Sequence, residues 1–430
     1  DWFKFSVDTS GVFKIDKNFL QQLGVSTNDL NPKKIHIYGN GGNLLPVLNS
    51  DFRYNDLQEN AIYIKGENDG SFDSSDFILF YAKGAHDWIV DTEQNTAKHR
   101  QNIYSNEAHY FLTVSNTDGK RVQQKSSLTA NAISQITTFN DYIFLEKEEI
   151  NILAAGTQWF FDDDFNIENT QHFKIPFPNA ISNDPVSIRV RGVSMSFGST
   201  TMAVKVNGEA LYDLNFSSLN PGSLTKVSVS ERTAEVQNSG DIIDVSITYD
   251  NRGNPSAKAF LDFIEVVGKK ELIANGNQFS FRSFEQANTS GPVKYKIQDN
   301  STIFQVWDVS NPLEPKNITN EEDNTSDFTF KDNGGVLNEY VVLSQNDYYT
   351  PKLLQNGKVV NQNLHALQDI NYLVITNSEL FSEAQRLADY HQNNSNLSTK
   401  VVLLDEIYNE FSSGSKDITG IRDFIKHVHT

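Results

Sequence analysis

Three stretches of the chain carry residue types that could do chemistry. Gly39-Asn-Gly-Gly42 follows the apolar run Lys34 to Tyr38, as a phosphate-cradling loop would. It lacks the G-x-x-x-x-G-K-S/T pattern, and Pro46 in Asn43-Leu-Leu-Pro-Val-Leu48 keeps the next segment from being the helix such a loop needs. It reads as a tight turn that needs positive φ. Asp69, Asp73 and Asp76 could offer oxygen ligands to a hard cation, but no Glu stands where an EF-hand loop ends, and a solvated acidic turn is the simpler reading. Asp162-Asp-Asp164, behind Trp159-Phe-Phe161, is where a calcium site at a sandwich edge would lie. Calcium is the one cofactor these residues leave open; no other is expected.

The remaining candidates are weaker. Among nine histidines, His427 and His429 stand two apart in a helical stretch, so they point to different faces and do not suggest a metal pair. His365 lies just before an apolar strand and is expected to cap or bridge a domain junction. There is no G-x-S-x-G elbow and no H-E-x-x-H. A Ser-His-Asp triad assembled from distant segments stays open, with nothing pointing to one. Sequons such as Asn317-Ile-Thr319 are expected by chance in so Asn- and Ser-rich a chain. The chain has no cysteine, which rules out disulfides, thiolate metal sites and a cysteine nucleophile within it. No catalytic, cofactor-binding or metal-ligating residue is assigned.

The elements that would position such groups follow from the pattern. The last sixty residues read as strand, helix, strand, helix. Asn371 to Thr376 and Lys400 to Leu404 are short continuous apolar runs, the mark of parallel strands buried on both faces. Asn377 or Ser378 is expected to cap a helix with Leu380, Ala384, Leu387 and Ala388 inward. Asp405 to Phe411 makes a short helix. Asp417 caps a last one whose apolar side is Ile418, Ile421, Ile425 and Val428. Two parallel strands do not make a stable sheet, so the unit is expected to be the front of a larger α/β domain in a longer protein.

Upstream, the chain alternates and turns. Residues 1–125 predict an antiparallel β domain with one helix, Lys17 to Leu23, closed by Gly24. Residues 126–270 predict a β-sandwich: Val186, Ile188 and Val190 alternate with polar partners, and Asn207-Gly208 is a two-residue hairpin signal. Residues 271–365 are β again, and 366–430 hold the α/β unit. The whole is multidomain and mainly β, as 430 residues exceed what one core holds.

Charge narrows the partners. Lys plus Arg is 36 and Asp plus Glu 55, for a net charge of -19, which argues against nucleic acid and anionic membrane surfaces. Sixteen Tyr and 29 Phe beside abundant Asn, Ser and Thr suggest a β-rich exported protein. No run of 18 apolar residues exists, so no transmembrane segment is expected. Asp1 opens straight into structured sequence, so a signal peptide is either cleaved or was never present.

Several of these stretches resemble a known family. Ile37-Tyr-Gly-Asn-Gly-Gly42, Asn60-Ala-Ile-Tyr-Ile-Lys-Gly66, Asp69-Gly-Ser-Phe-Asp73 and Asp76-Phe-Ile-Leu-Phe-Tyr81 are similar to the N-terminal region of the type IX secretion system sortases of Bacteroidetes. Asn102-Ile-Tyr104, Tyr110-Phe111, Gly156-Thr-Gln-Trp-Phe160, Val306-Trp-Asp-Val-Ser310 and Asn361-Gln-Asn-Leu-His365 fit in the same order. Asp405 to Gly414 and Asp417 to Phe424 resemble the start of a gingipain-type cysteine peptidase domain, which has a caspase-like α/β fold. The resemblance spans nearly the whole chain.

It implies an exported protein at the outer-membrane surface, held by the barrel protein PorV. Such a protein cleaves the C-terminal secretion signal from cargo and joins the new carboxyl end to anionic lipopolysaccharide. A Cys thiolate attacks and a His serves as base; neither maps to a residue here, so none is carried over. Two rivals stand beside it: a secreted gingipain-like protease that hydrolyses peptides, and a non-catalytic β-rich adhesin or scaffold module.

Overall fold

The computed structural model describes residues 1–429 other than 155, 238–239, 323–325 and 346. The protein is mainly β, built from antiparallel sheets, and ends in a small α/β unit. In the first region Phe3, Phe5 and Val7 alternate with Trp2, Lys4 and Ser6 along the strand Trp2–Val7. A period of two places the apolar set on one face. There it packs with Phe13, Phe80 and Tyr110 in a core of buried aromatic and branched side chains. That core joins a five-stranded sheet, in which Trp2–Val7 lies between Lys352–Val359 and Ala108–Val114, to the three-stranded sheet of Gly11–Asp16, Phe77–Ala82 and Ile62–Lys65. The helix Lys17–Leu23 is capped by Asp16, whose carboxylate accepts from Phe19 N at 2.8 Å, and ends at Gly24 with φ of 98°.

The sandwich pairs two four-stranded sheets. Thr138–Glu146, Lys258–Glu271, Pro185–Met195 and Ser228–Gln237 form one. Thr170–Pro176, Ile242–Asp250, Thr200–Val206 and Glu209–Phe216 form the other. Val186, Ile188 and Val190 face inward against Val204, Val245 and Ile247. Asn207 and Gly208 both take positive φ, 51° and 86°, which matches the twist of the two strands they join. A third β region follows, with a five-stranded and a three-stranded sheet around Phe281, Tyr295, Phe330 and Tyr340.

The regions interlock along the sequence. Strand Lys352–Val359, in the stretch read as part of the third β region, joins the edge of the first sheet beside Trp2–Val7. Trp307, fully buried, packs from the third region onto Val12, Leu79 and Tyr81 of the first. A hairpin, Asp87–Asp91 with Thr96–Arg100, reaches from the first region to the sandwich. Its strands are short and half polar, so residue type alone does not mark them.

In the α/β unit Tyr372–Thr376 and Thr399–Leu403 pair in parallel as a two-stranded sheet. Val402 is buried and Ile375 only half-buried. Two expectations are corrected here. Helix Phe381–Ser395 starts after a turn in which Asn377 Oδ1 accepts from Leu380 N at 3.0 Å; Ala384 and Ala388 face the sheet, while Leu380 and Leu387 are exposed. In helix Ile418–His429 the inward side is Phe424 with Ile421 and Val428, and Ile418 and Ile425 face outward. The 100° step per residue puts Phe424 opposite Phe411, and that aromatic contact, 5.4 Å between centroids, sets the rotation of the helix.

Candidate functional site

The densest cluster of long-range polar contacts to the α/β unit lies where it sits on the first β region. The loop after Ile35–Tyr38 and the strand Trp2–Val7 make it. Asn40 N donates to Ser413 Oγ at 2.9 Å. Leu45 N donates to Asp417 Oδ2 at 2.9 Å, while Asp417 Oδ1 accepts from Thr419 N at 2.8 Å. One carboxylate thus caps the last helix and pins the loop. Arg53 Nη1 reaches both oxygens of Asp423 at 2.7 Å, and Arg422 donates to the carbonyls of Pro46, at 3.0 Å, and Val47. The Gly39–Gly42 turn therefore serves docking; Gly41 takes φ of 83°, and a Cβ on Gly42 would lie 2.6 Å from Ala108 Cβ.

Beneath the loop, Lys4 Nζ donates to Asn409 Oδ1 at 3.1 Å and to the Gly414 carbonyl at 2.8 Å. Burial lowers the Lys4 ammonium to about 8. Beside it, burial and the Lys4 charge lower His109 to about 4, so that ring is neutral at pH 7. Gly414 has φ of 81°, and a Cβ there would meet Lys4 Cε at 2.7 Å and His109 Cβ at 2.9 Å. Gly414→Ala is expected to destabilise the junction by about 2 kcal/mol. Faster amide exchange across residues 412–417 is the check.

Glu410 is the hub on the other side. Its carboxylate accepts from Leu364 N at 2.8 and 2.9 Å and from Gln362 Nε2 at 2.8 Å, and His365 Nδ1 lies 2.8 Å away. His365 Nε2 lies 2.7 Å from the Asn55 carbonyl, and its ring stacks on Phe411 at 4.4 Å. His365 thus bridges the β region and the α/β unit. A cleft of about 350 Å³ opens beside this hub, lined by Trp2, Tyr38, Phe111, Gln362 and Asn409.

The other sequence candidates fall elsewhere. Asp76 Oδ2 accepts from Asp73 N and Asp69 Oδ1 from Ser71 N, so this acidic turn braces its own backbone. Asp164 Oδ1 accepts from Asn166 N and Ala259 N. Among the described residues no group of three or more His, Asp or Glu side chains is placed to hold a metal. His427 turns inward, 3.1 Å from the His365 carbonyl.

One constellation was invisible in the sequence. His36 Nδ1 lies 2.7 Å from Glu59 Oε1, and His36 Nε2 lies 2.8 Å from Ser115 Oγ. Those distances suit a Ser-His-Glu triad. The surroundings do not. His36 Nε2 also lies 3.1 Å from the Thr117 carbonyl, which can only accept, and Ser115 Oγ already accepts from Thr117 N at 3.1 Å. Ser115 N is spent on the Lys34 carbonyl. The ring is a staple for the 115–119 turn, where the Ser115, Thr117 and Gly119 amides are already spent on hydrogen bonds.

Two comparisons with known proteins bear on the chain. Residues 365–430 match the family model for peptidase family C25. Among solved structures, dimeric latent PorU from Porphyromonas gingivalis superposes with a TM-score of 0.84 at 23% identity, over 99% of this chain and 39% of that one. The two share a fold, and the chain spans well under half the length of that protein. Family 35 carbohydrate-binding modules from Cellvibrio japonicus Abf62 (TM-score 0.21, 11% identity, 30% of this chain and 97% of that one) and Clostridium thermocellum (0.19, 12%, 30% and 90%) are too distant to bear on it. No curated protein matches.

Proposed function

We propose that this chain is the N-terminal part of a PorU-like cell-surface sortase of the type IX secretion system. The observation that carries the reading is the coincidence of two boundaries. The peptidase-family match begins at residue 365, and there the polypeptide passes from the PorU-like β regions into the α/β unit. The junction built by Lys4, Arg53, Asp417 and Glu410 would hold the first strands and helices of a peptidase domain at a set angle to the β regions.

In this reading the parent protein is a cysteine peptidase and transpeptidase. A thiolate attacks the scissile carbonyl of cargo, a histidine takes and returns the proton, and an amine resolves the acyl-enzyme. That releases the C-terminal signal of the cargo and attaches the cargo to anionic lipopolysaccharide. None of the 430 residues is Cys, so the nucleophile belongs to other residues of the parent. The β regions would face PorV and cargo at the cell surface. No helix of the described residues is long and apolar enough to cross a membrane.

The test is genetic and chemical. The parent gene should encode a Cys and a His in the rest of its α/β domain, and replacing that Cys with Ala should leave cargo unprocessed. Normal processing would sink the reading, and cargo cut but never lipid-linked would move it to a hydrolytic gingipain-like protease.

A further inference from the structure

Lys125 stands between two aspartates that lie far from it in the chain. Its Nζ donates to Asp308 Oδ2 at 2.7 Å and to Asp332 Oδ2. All three groups sit on strands: Lys125 ends Gln123–Lys125, Asp308 ends Ile303–Asp308, and Asp332 lies in Phe328–Asn333. Asp332 is only 5% exposed, and Lys125 is partly buried. Tyr340, fully buried, pairs directly across from Asp308, and its hydroxyl donates to Asp332 Oδ2 at 2.8 Å. Asn333 N donates to Asp332 Oδ1 at 2.9 Å, and Ser310 N to Asp308 Oδ1 at 3.0 Å. Tyr295 and Phe330 pack on the Tyr340 ring, at 5.0 and 5.1 Å between centroids. Lys269 and Lys352 also meet two carboxylates each, but those carboxylates stand well in solvent.

As a salt bridge this is a poor arrangement. One ammonium and two carboxylates bring a net negative charge beside buried aromatic rings, and an uncompensated buried charge is costly. Burial lowers the basicity of Lys125, but the hydrogen bonds to Asp308 and Asp332 outweigh it and hold the ammonium above its usual range. Burial raises Asp308, yet the hydrogen bonds from Lys125 and Ser310 keep it below the usual carboxylate range. Asp308 is thus held as a carboxylate against the lysine, placed to take a proton from Nζ. Asp332 has a donor on each oxygen, which draws electrons from Cγ and leaves that carbon open to attack. A lysine amine, a base in contact with it and a polarised carboxyl group are the parts of an amide-forming reaction. Held in register on strands, such groups meet at an effective concentration of about 10⁵ M or more.

We propose that Lys125 and Asp332 join through an isopeptide bond within the chain, with Asp308 as the base. Asp308 takes a proton from Nζ, and the freed lone pair attacks Asp332 Cγ. The Cγ–Oδ2 bond then breaks. Oδ2 leaves as water with two of the three ammonium protons, one of them passed on by Asp308, and the third stays on the new amide nitrogen. No oxidant or other reagent enters. The bond replaces a buried ion pair with a neutral amide. It also links positions 207 apart, with the sandwich strands from Thr138 to Glu271 between them, so it closes a covalent ring through that region. A chain without cysteine has no disulfide to do this. The inference is independent of the sortase reading, because no residue of the α/β unit takes part.

The mass of the full 430-residue chain, folded and then unfolded in acid, is the test. It should lie about 18 Da, one water, below the mass of the sequence. Tryptic digestion should release a branched peptide that joins the segments around Lys125 and Asp332. Lys125→Arg and Asp332→Ala should each restore the full mass and abolish the branched peptide. Asp308→Asn, with its fold checked by circular dichroism, should leave most chains at full mass, because loss of the base slows the reaction about a hundredfold or more. Asp308→Glu should recover part of the water loss, which a purely structural role for Asp308 does not predict. The proposal is overturned if the folded wild-type chain keeps its full mass, if the lost water maps to any other residues, or if Asp308→Asn loses water as readily as the wild type. The first two results come from the wild-type chain alone, so they stand even where a variant fails to fold.

Discussion

Glu410→Ala is expected to lower the stability of the chain by about 3 kcal/mol, the largest single effect at the junction. The side chain is nearly buried, and its two oxygens serve Gln362 Nε2, Leu364 N and His365 Nδ1. Removing it leaves a buried amide without an acceptor and an imidazole without its carboxylate. The Leu364 amide, on a residue only 4% exposed, carries most of that cost, since the other partners border open clefts. Glu410→Gln keeps an acceptor for Leu364 N and should lose roughly half as much. Denaturant unfolding measures the difference, and limited proteolysis locates it: cleavage should rise between residues 360 and 370. Equal stability of Ala variant and wild type would show that Arg53, Asp417 and Lys4 hold the junction alone.

The second large effect is a loss of stability in alkali, centred on the hairpin that ties the first region to the sandwich. His99, at the base of that hairpin, is buried between Glu146 and Glu265 and stacks on Phe144 at 4.4 Å. Burial lowers its basicity, but the hydrogen bonds to Glu146 and Glu265 outweigh it and raise the ring to about 9. Arg189 shares Glu265, and together Arg189 and His99 hold that carboxyl below its usual range against burial. Around them, burial raises Asp262 to about 7, and burial with the Glu146 charge raises Glu148 to about 8. Arg191 pairs with Asp262, Glu231 with Arg189, and burial keeps the nearby His86 neutral.

The signs agree. The folded His99 is more basic than the unfolded one, so its stabilisation is complete below about pH 6.5 and is lost as pH rises through 9. Asp262 and Glu148 resist ionising in the fold, so they too make the native state less favourable as pH climbs from about 4 towards 7 and 8, where that penalty is complete. Unfolding free energy should fall by about 3 kcal/mol between pH 6.5 and 9.5. His99→Phe, which keeps the stacking on Phe144, should flatten most of that slope. A profile equally steep in the variant would move the effect to other groups.

How much of this was legible in the sequence follows from the range of each interaction. The period-two alternation of Val186 to Val190, the Asn207-Gly208 hairpin, the Gly24 cap and the two apolar runs at 371–376 and 400–404 are local, and the structure has them all. The class of the fold followed from them. Helix rotation did not: Ile418 and Ile425 fit an apolar face as well as Phe424, and only the position of Phe411 across the core chose between them.

The junction lay out of reach for the same reason. Lys4, Asn40, Arg53 and His365 are ordinary residues in the chain, separated by hundreds of positions from the groups they meet. Which lysine is buried, which carboxylate gathers four hydrogen bonds and which histidine staples a turn are decided by how the sheets stack. Residue type and spacing alone determined the β-rich class, the parallel start of the α/β unit and the lack of a thiol. Packing between regions decided the site, because burial and hydrogen-bond partners are properties of distance in space, which the order of residues does not carry.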